Sequence, residues 1–134
     1  MGRISTVVFC ENANIENANG ATKLNCNGVM ARAAVPAIPS FLSLSLLVIA
    51  DISDPEAKIE TIRIVIKSPD GTTVFDQSLP GNQMPIIEDE KKDLSIAMNI
   101  QNLVIRTLGK YTFEFYFNGD VDYSKEFEIF QKAF

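Results

Sequence analysis

The stretch KIETIRIVIKSPDGTTVFDQSL, residues 58–79, decides the fold. Its isoleucines at positions 62, 64 and 66 alternate with other residues, which is the two-residue period of a half-buried strand. The segment Ser68-Pro69-Asp70-Gly71 predicts a turn, because proline pre-sets φ at the second position and glycine supplies a positive φ. Thr72 to Ser78 contains β-branched and aromatic residues and returns the chain. The stretch therefore predicts a β-hairpin.

Other segments show the same alternation or β-forming composition, and turn signals separate them. They are Arg3–Cys10, Thr22–Arg32, Phe41–Ala50, Leu94–Ile100, Tyr111–Phe117 and Val121–Phe130. In the first of these, Ile4, Thr6, Val8 and Cys10 would share one face. Asn19-Gly20 and Asn118-Gly119 are hairpin signals, so Cys10 is expected to lie opposite Val29. We predict about seven or eight strands in one domain covering residues 1–134, an antiparallel two-sheet sandwich of immunoglobulin-like or jelly-roll-like character, with a closed barrel as the alternative.

The intervening segments predict turns and connections. Glu11 to Ala21 is rich in asparagine, which favours turns over regular structure. Gly28 predicts a bulge or a close backbone approach, and the prolines in Val35–Pro39 predict an extended crossover. Gln101 to Leu108 is expected to be a connection, like the polar segments 51–57 and 79–92.

Charge and hydropathy exclude several classes of partner. The net charge of −5 and the scattered basic residues argue against nucleic acid and anionic lipid. Residues 33–50 carry no charge, but the prolines and the alternation in FLSLSLLVIA favour a buried strand over a membrane span. The N-terminus lacks the basic and apolar regions of a signal peptide, so we expect a cytoplasmic protein.

The sequence contains no histidine, which excludes imidazole bases, Ser/His/Asp triads and zinc sites with His ligands. It also lacks a phosphate-binding glycine loop and a nucleophile elbow. We therefore predict a protein that is not an enzyme and has no catalytic residues and no cofactor. The alternative is a carbohydrate-binding or glycan-active domain, with paired carboxylates and with Tyr111, Tyr116 and Tyr123 as a sugar platform.

Two sets of residues are candidate metal ligands. Cys10 and Cys26 lack a CxxC unit, and we interpret them as reduced thiols that pack as small apolar groups. Asn118, Asp120 and Asp122 are weak calcium candidates, because they offer oxygen ligands on one hairpin tip. The same spacing describes an ordinary solvated turn.

The partner-binding candidates follow from exposed edges and charge clusters. Arg3 to Phe9 carries no charge after Arg3, so as an edge strand it would accept a second copy. We predict a protein partner and a homodimer. The candidate residues are Ser5, Val7 and Phe9 in this strand, Val35, Ile38 and Phe41 in the crossover, and the acidic strip Glu88, Asp89 and Glu90.

Three segments together resemble a family of small bacterial proteins known mainly as a domain of unknown function. They are FCENANIENANGATKLNCNGVM with the prolines after it, IRIVIKSPDGTTVF, and LGKYTFEFYFNGD. The resemblance implies a single β-sandwich domain with no assigned activity, and it supplies no catalytic residues. We therefore predict a non-enzymatic binding module, with protein–protein interaction as its function.

Overall fold

The computed structural model describes residues 4–18, 21–51, 61–80 and 93–132. These residues form strands and connections without a helix. The strands are β1 (Ile4–Ala18), β2 (Ala21–Val29), β3 (Arg32–Val35), β4 (Ser40–Asp51), β5 (Thr61–Lys67), β6 (Thr73–Pro80), β7 (Asp93–Ile105), β8 (Gly109–Phe117) and β9 (Asp120–Gln131). They make a four-stranded sheet in the order β2-β1-β4-β7 and a five-stranded sheet in the order β3-β9-β8-β5-β6. The prediction of an all-β fold is confirmed.

The hairpin that opened the sequence analysis is β5–β6, and its turn has the predicted geometry. The Gly71 N–H donates to the Ser68 carbonyl at 2.9 Å, and Gly71 has a φ of 88°. The Asp70 carboxylate accepts a hydrogen bond from the Thr72 N–H at 3.0 Å. The predicted turn Asn19-Gly20 lies outside the described residues. At the predicted turn of β8–β9, Asn118 and Gly119 have φ values of 53° and 89°. Both turns thus use the residues that tolerate a positive φ.

One apolar core joins the two sheets. Phe9 of β1 contacts Phe113 of β8 and Phe127 of β9, with ring centroids 4.8 and 4.7 Å apart. All three rings are nearly inaccessible to solvent, and each contributes about 2–3 kcal/mol by burial alone. The isoleucines at 62, 64 and 66 lie in the same core, as their alternation predicts.

The four-stranded sheet buries apolar residues on both faces. A second cluster contains Cys10, Ala13 and Leu47, with Ile15 and Leu24 packed against it. The strands β1 and β2 continue as a hairpin beyond Cys10, where β1 has left β4. This hairpin packs over the face of β4 that points away from the main core, so the sheet is curled.

Strand β1 differs from the prediction in length and in the residues that share a face. Residues 11–18, expected to form turns, continue β1 and pair with β2, where Asn12 and Asn14 occupy exposed positions. A bulge between Ile4 and Thr6 shifts the alternation, so Val7 and Phe9 face the main core. Thr6, Val8 and Cys10 share the opposite face, so the prediction that all four residues share one face is wrong for Ile4. Cys10 does lie opposite Val29, as the two-residue turn predicts.

Two further boundaries are corrected. Strand β2 ends at Val29, and Arg32 begins β3, which pairs parallel with β9. Strand β7 continues to Ile105, although residues 101–108 were expected to be a connection. The register with β4 shifts between Leu42 and Leu44. Because this bulge adds one residue to β7, the buried position that follows Ile100 is Leu103 and not residue 102.

The predicted crossover through Pro36 and Pro39 is present, and it carries the chain from β3 in one sheet to β4 in the other. The buried strand predicted for Phe41 to Ala50 is β4. None of the residues described belongs to a helix long and apolar enough to cross a membrane.

Candidate functional site

The structure separates the predicted partner-binding residues. Val7, Phe9 and Val35 lie in the main core and expose at most 3% of their surface. Their side chains are therefore unavailable to a partner in the folded chain. Ile38 and Phe41 are exposed, at 41% and 68%. The side chain of Ser5 and the acidic strip at positions 88–90 lie outside the described residues.

Strand β1 is an interior strand, between β2 and β4. Its first half, Ile4 to Phe9, pairs with β4, whereas its pairing with β2 begins at Cys10. Side chains of β9 cover the other side of this half. The Asp122 carboxylate accepts a hydrogen bond from the Ile4 N–H at 2.8 Å, and the Lys125 ammonium donates to the Val7 carbonyl at 3.0 Å. Strand addition at β1 is thus opposed by β9.

The calcium candidates take part in hydrogen bonds within the fold. The Asn118 side-chain oxygen accepts a hydrogen bond from the Thr61 N–H at 3.1 Å, and the Asn118 N–H donates to the Thr61 carbonyl at 3.0 Å. Asp122 caps β1 as described above, and Asp120 lies opposite Phe117 in the hairpin. In the described ranges, no three Cys, Asp or Glu residues are grouped to hold a metal ion.

Both cysteines are free, and they lie on the curled side of the four-stranded sheet. The Cys10 thiol is buried and donates to the Ser45 carbonyl at 3.6 Å. Burial and the neighbouring Cys26 thiol raise the pKa of Cys10 to about 11, so it stays protonated at neutral pH. The interpretation as thiols packed among apolar groups fits this arrangement.

The three tyrosines do not form a common platform. Tyr111 is buried and its hydroxyl donates to the Thr107 carbonyl at 2.7 Å, while Tyr123 packs against the core near Phe115. Tyr116 alone lies on the outer face of the five-stranded sheet, as Glu114 does. The alternation of β8 decides this outcome, because positions 111 and 116 point to opposite faces.

The sheet edges differ in how well they are protected against strand addition. Of the edge strands described, β3 has four residues and is followed by Pro36. Strand β2 carries Lys23 and has Gly28 at a φ of 67°, and β7 pairs regularly with β4 over residues 93–100 before the bulge at Asn102. Strand β6 pairs with β5 from Phe75 to Pro80 without a register shift. We call the outer side of residues 75–80 the open edge.

Charge protects the open edge weakly. Asp76 is the single charged residue of β6. The Arg63 guanidinium donates to both of its carboxylate oxygens, at 2.8 and 2.6 Å. This pair lowers the pKa of Asp76 below its ordinary value, so the carboxylate is charged and compensated at neutral pH. The charge of Asp76 is therefore balanced by Arg63 and opposes strand addition at β6 only weakly. The sequence pattern alone does not identify β6 as an edge strand.

The outer face beside the open edge carries a network of charged and polar side chains. The Arg63 guanidinium lies 5.3 Å from the Tyr116 ring centroid, and the Tyr116 hydroxyl donates to Glu114 at 3.2 Å. Glu114 is also 3.2 Å from the Lys67 ammonium. These side chains surround Val65, which is 3% exposed although it lies on the outer face. The network links the outer faces of β5, β6 and β8.

Asp76 and Glu114 are two acids on one sheet face, and both lie opposite Val65 from its two neighbouring strands. Each is held by a cation, and both lie on a sheet face. Glycoside hydrolysis needs one protonated and one ionised acid across a cleft. Both carboxylates are engaged in ion pairs and no cleft separates them, so this arrangement does not fit that chemistry.

A cleft of about 260 Å³ opens at the end of the molecule where the β5–β6 turn meets β7. It is lined by Ser68, Asp70, Thr72, Val74, Val104, Arg106, Thr107 and Tyr111. Hydrogen bonds from the Ser68 hydroxyl and the Thr72 N–H lower the pKa of Asp70. Burial raises the pKa of Tyr111, so its hydroxyl remains a hydrogen-bond donor. Among the described residues, Arg106 has no ion pair.

These observations define the class of protein: an all-β domain of two sheets, with an open edge and a charged outer face. A family model described as a family of unknown function, DUF6941, matches residues 5–130, and the chain belongs to that family. The match bears out the resemblance to a domain of unknown function. No curated protein and no solved structure matches the chain.

Proposed function

We propose that this chain is a non-enzymatic interaction module that binds protein by adding a strand at the open edge of β6. The observation that carries the proposal is the regular register of residues 75–80 at the border of the five-stranded sheet, where no described strand pairs with their outer side. Strand β3 is short, β2 carries a lysine and β7 contains a bulge at Asn102, whereas β6 keeps one register from Phe75 to Pro80 and has one compensated charge. An extended segment would gain main-chain hydrogen bonds there and would read the alternate side chains of β6 for specificity.

The architecture we propose for the module is an immunoglobulin-like sandwich in which one sheet is curled. Strands β1, β4 and β7 follow the order A-B-E, and β9, β8, β5 and β6 follow the order G-F-C-C′. The hydroxyl of Tyr111, near the start of β8, bonds to the backbone four residues upstream. A tyrosine in that place is typical of the corner before strand F in immunoglobulin-like domains. These features support the assignment independently of the outer surface.

The non-enzymatic part of the proposal is supported by the roles of the polar groups. Asn118 and Asp122 hold backbone N–H groups, Asp70 closes a turn, and Cys10 is a buried donor. A general acid or base needs a proton or a lone pair within hydrogen-bond reach of the substrate. Both cysteines are free thiols, which fits a reducing compartment, so we place this module in the bacterial cytoplasm.

The proposal is tested by selecting random peptides from a phage-displayed library against the immobilised protein at low density. We expect selected peptides with β-forming residues, captured by the wild type and by Ser78→Lys but not by Gln77→Lys. Gln77 lies opposite the core-facing Ile64, where a new charge at the edge opposes pairing, whereas Ser78 lies on the outer face opposite Arg63. Peptides that bind both variants equally, or hydrolysis of a glycan substrate by the wild type, would overturn it.

A further inference from the structure

We infer that a partner of the open edge is a second copy of this chain, paired antiparallel β6 to β6 with Gln77 on the two-fold axis. The two five-stranded sheets then form one continuous sheet across the dimer. This inference rests on the proposed function and names the partner for the same surface. An isologous contact of this kind closes on itself, because the same patch serves both copies.

The length of the regular edge selects the position of the axis. Residues directly opposite each other in an antiparallel pair share a face, so a two-fold axis passes through a pair of identical residues. The regular register of β6 begins at Phe75, since a bulge separates Phe75 from Thr73. An axis at Gln77 uses residues 75–79 in both copies. An axis at Phe75 would carry the pairing into the bulge.

Charge and side-chain chemistry select the same register. With the axis at Gln77, Asp76 lies opposite Ser78 of the partner subunit. A carboxylate opposite a hydroxyl can accept a hydrogen bond across the two strands. An axis at Asp76 would put two carboxylates directly opposite each other, which is destabilising. Gln77 is exposed, so its amide is available to meet its copy on the axis.

The outer-face network prepares the edge for this contact. The bidentate bond from Arg63 fixes Asp76 before association, so little side-chain freedom is lost when a second strand arrives. Compensation of Asp76 also removes the one charge by which β6 would repel its copy. The net charge of −5 on each copy still opposes association, and salt screens that repulsion. We therefore expect more dimer as salt is added.

A single-cysteine cross-link tests the register. In a Cys26→Ser background, Gln77→Cys places two thiols opposite each other, with Cα atoms about 5 Å apart, within the range for a disulfide. Ser78→Cys is the matched control, because its two Cα atoms would be offset along the strands and about 8 Å apart, beyond the range for a disulfide. Cys10 is fully buried and does not interfere. With diamide as oxidant, two thiols form one disulfide and diamide is reduced to its hydrazine. We expect a cross-linked dimer for Gln77→Cys and no cross-linked dimer for Ser78→Cys.

Sedimentation equilibrium at micromolar concentrations tests the dimer without a cross-link. We expect a dimer for the wild type, a monomer for Gln77→Lys and a dimer for Ser78→Lys, whose new charge faces Asp76 of the partner subunit. Circular dichroism checks that each variant is folded. A monomeric wild type, equal cross-linking at 77 and 78, or a folded Gln77→Lys dimer would overturn the inference. If the wild type is monomeric while the selected peptides still distinguish the two lysine variants, the proposed function stands and only the second copy is excluded as the partner.

Discussion

Tyr111 combines apolar burial with one local hydrogen bond at a chain corner. Its ring lies in the core and its hydroxyl donates to the Thr107 carbonyl at 2.7 Å, so the β7–β8 connection is fixed to the start of β8. We predict that Tyr111→Phe lowers the free energy of unfolding by about 1–2 kcal/mol, because a carbonyl loses a donor at a part-buried site. Urea unfolding measures the change. Tyr116→Phe removes an outer-face hydroxyl and should cost less than about 0.5 kcal/mol; equal losses in the two variants would contradict the prediction.

Asp70 connects the hairpin turn to the acid stability of the protein. Bonds from the Ser68 hydroxyl and the Thr72 N–H hold its pKa below the ordinary value of 3.8. The folded state therefore binds this proton less readily than the unfolded state, so the stabilisation is present above the ordinary pKa. It is lost as pH falls through the folded pKa.

We predict that below about pH 4 the free energy of unfolding falls more steeply in the wild type than in Asp70→Asn, which does not titrate. Ser68→Ala, which removes the largest cause of the shift, should give an intermediate slope. Urea unfolding across an acidic pH series measures the three slopes. Parallel curves for the wild type and Asp70→Asn would rule out this role of the carboxylate.

Strand β7 shows how one bulge changes an entire element. Asn102 adopts a φ of 58°, and its N–H donates to the Ser43 hydroxyl at 3.1 Å. We predict that Asn102→Ala lowers the free energy of unfolding by about 1 kcal/mol, because alanine tolerates the left-handed region poorly. Asn102→Gly should lose less, and the exposed neighbour Gln101→Ala should change little. Chemical unfolding gives the order of the three variants, and an alanine variant as stable as the glycine variant would contradict the prediction.

The same bulge explains which elements the sequence predicts. Alternation and turn residues predict the β5–β6 and β8–β9 hairpins, because both signals are local. Alternation ends at Ile100 because the bulge shifts the buried face, so the last residues of β7 resemble a connection. The parallel pairing of β3 with β9 joins distant segments and leaves no local pattern. The open edge depends on strand order, which periodicity does not encode.

At the scale of the whole molecule, the two sheets also meet through polar side chains of β9. Lys125 reaches from the five-stranded sheet to the Val7 carbonyl at 3.0 Å, and its ammonium lies 5.3 Å from the Phe9 ring centroid. A lysine in this position closes the free side of β1, which is a recognised way to protect an edge. Side chains of β9 thus cover the uncharged first half of β1, whereas no described strand pairs with the outer side of β6.

Because Lys125 covers the free side of β1, we predict that removing its charge creates a second association site at β1. Lys125→Met keeps an unbranched side chain against Phe9 but leaves the Val7 carbonyl without its charged donor. In a Gln77→Lys background, which closes the open edge, Lys125→Met should shift the sedimentation average above that of a monomer. Lys110→Met, at an exposed position opposite Glu128, is the matched control and should remain monomeric. If the folded Lys125→Met variant also remains monomeric, the Asp122 cap and the strand geometry are sufficient to protect β1, and the charge of Lys125 is not required.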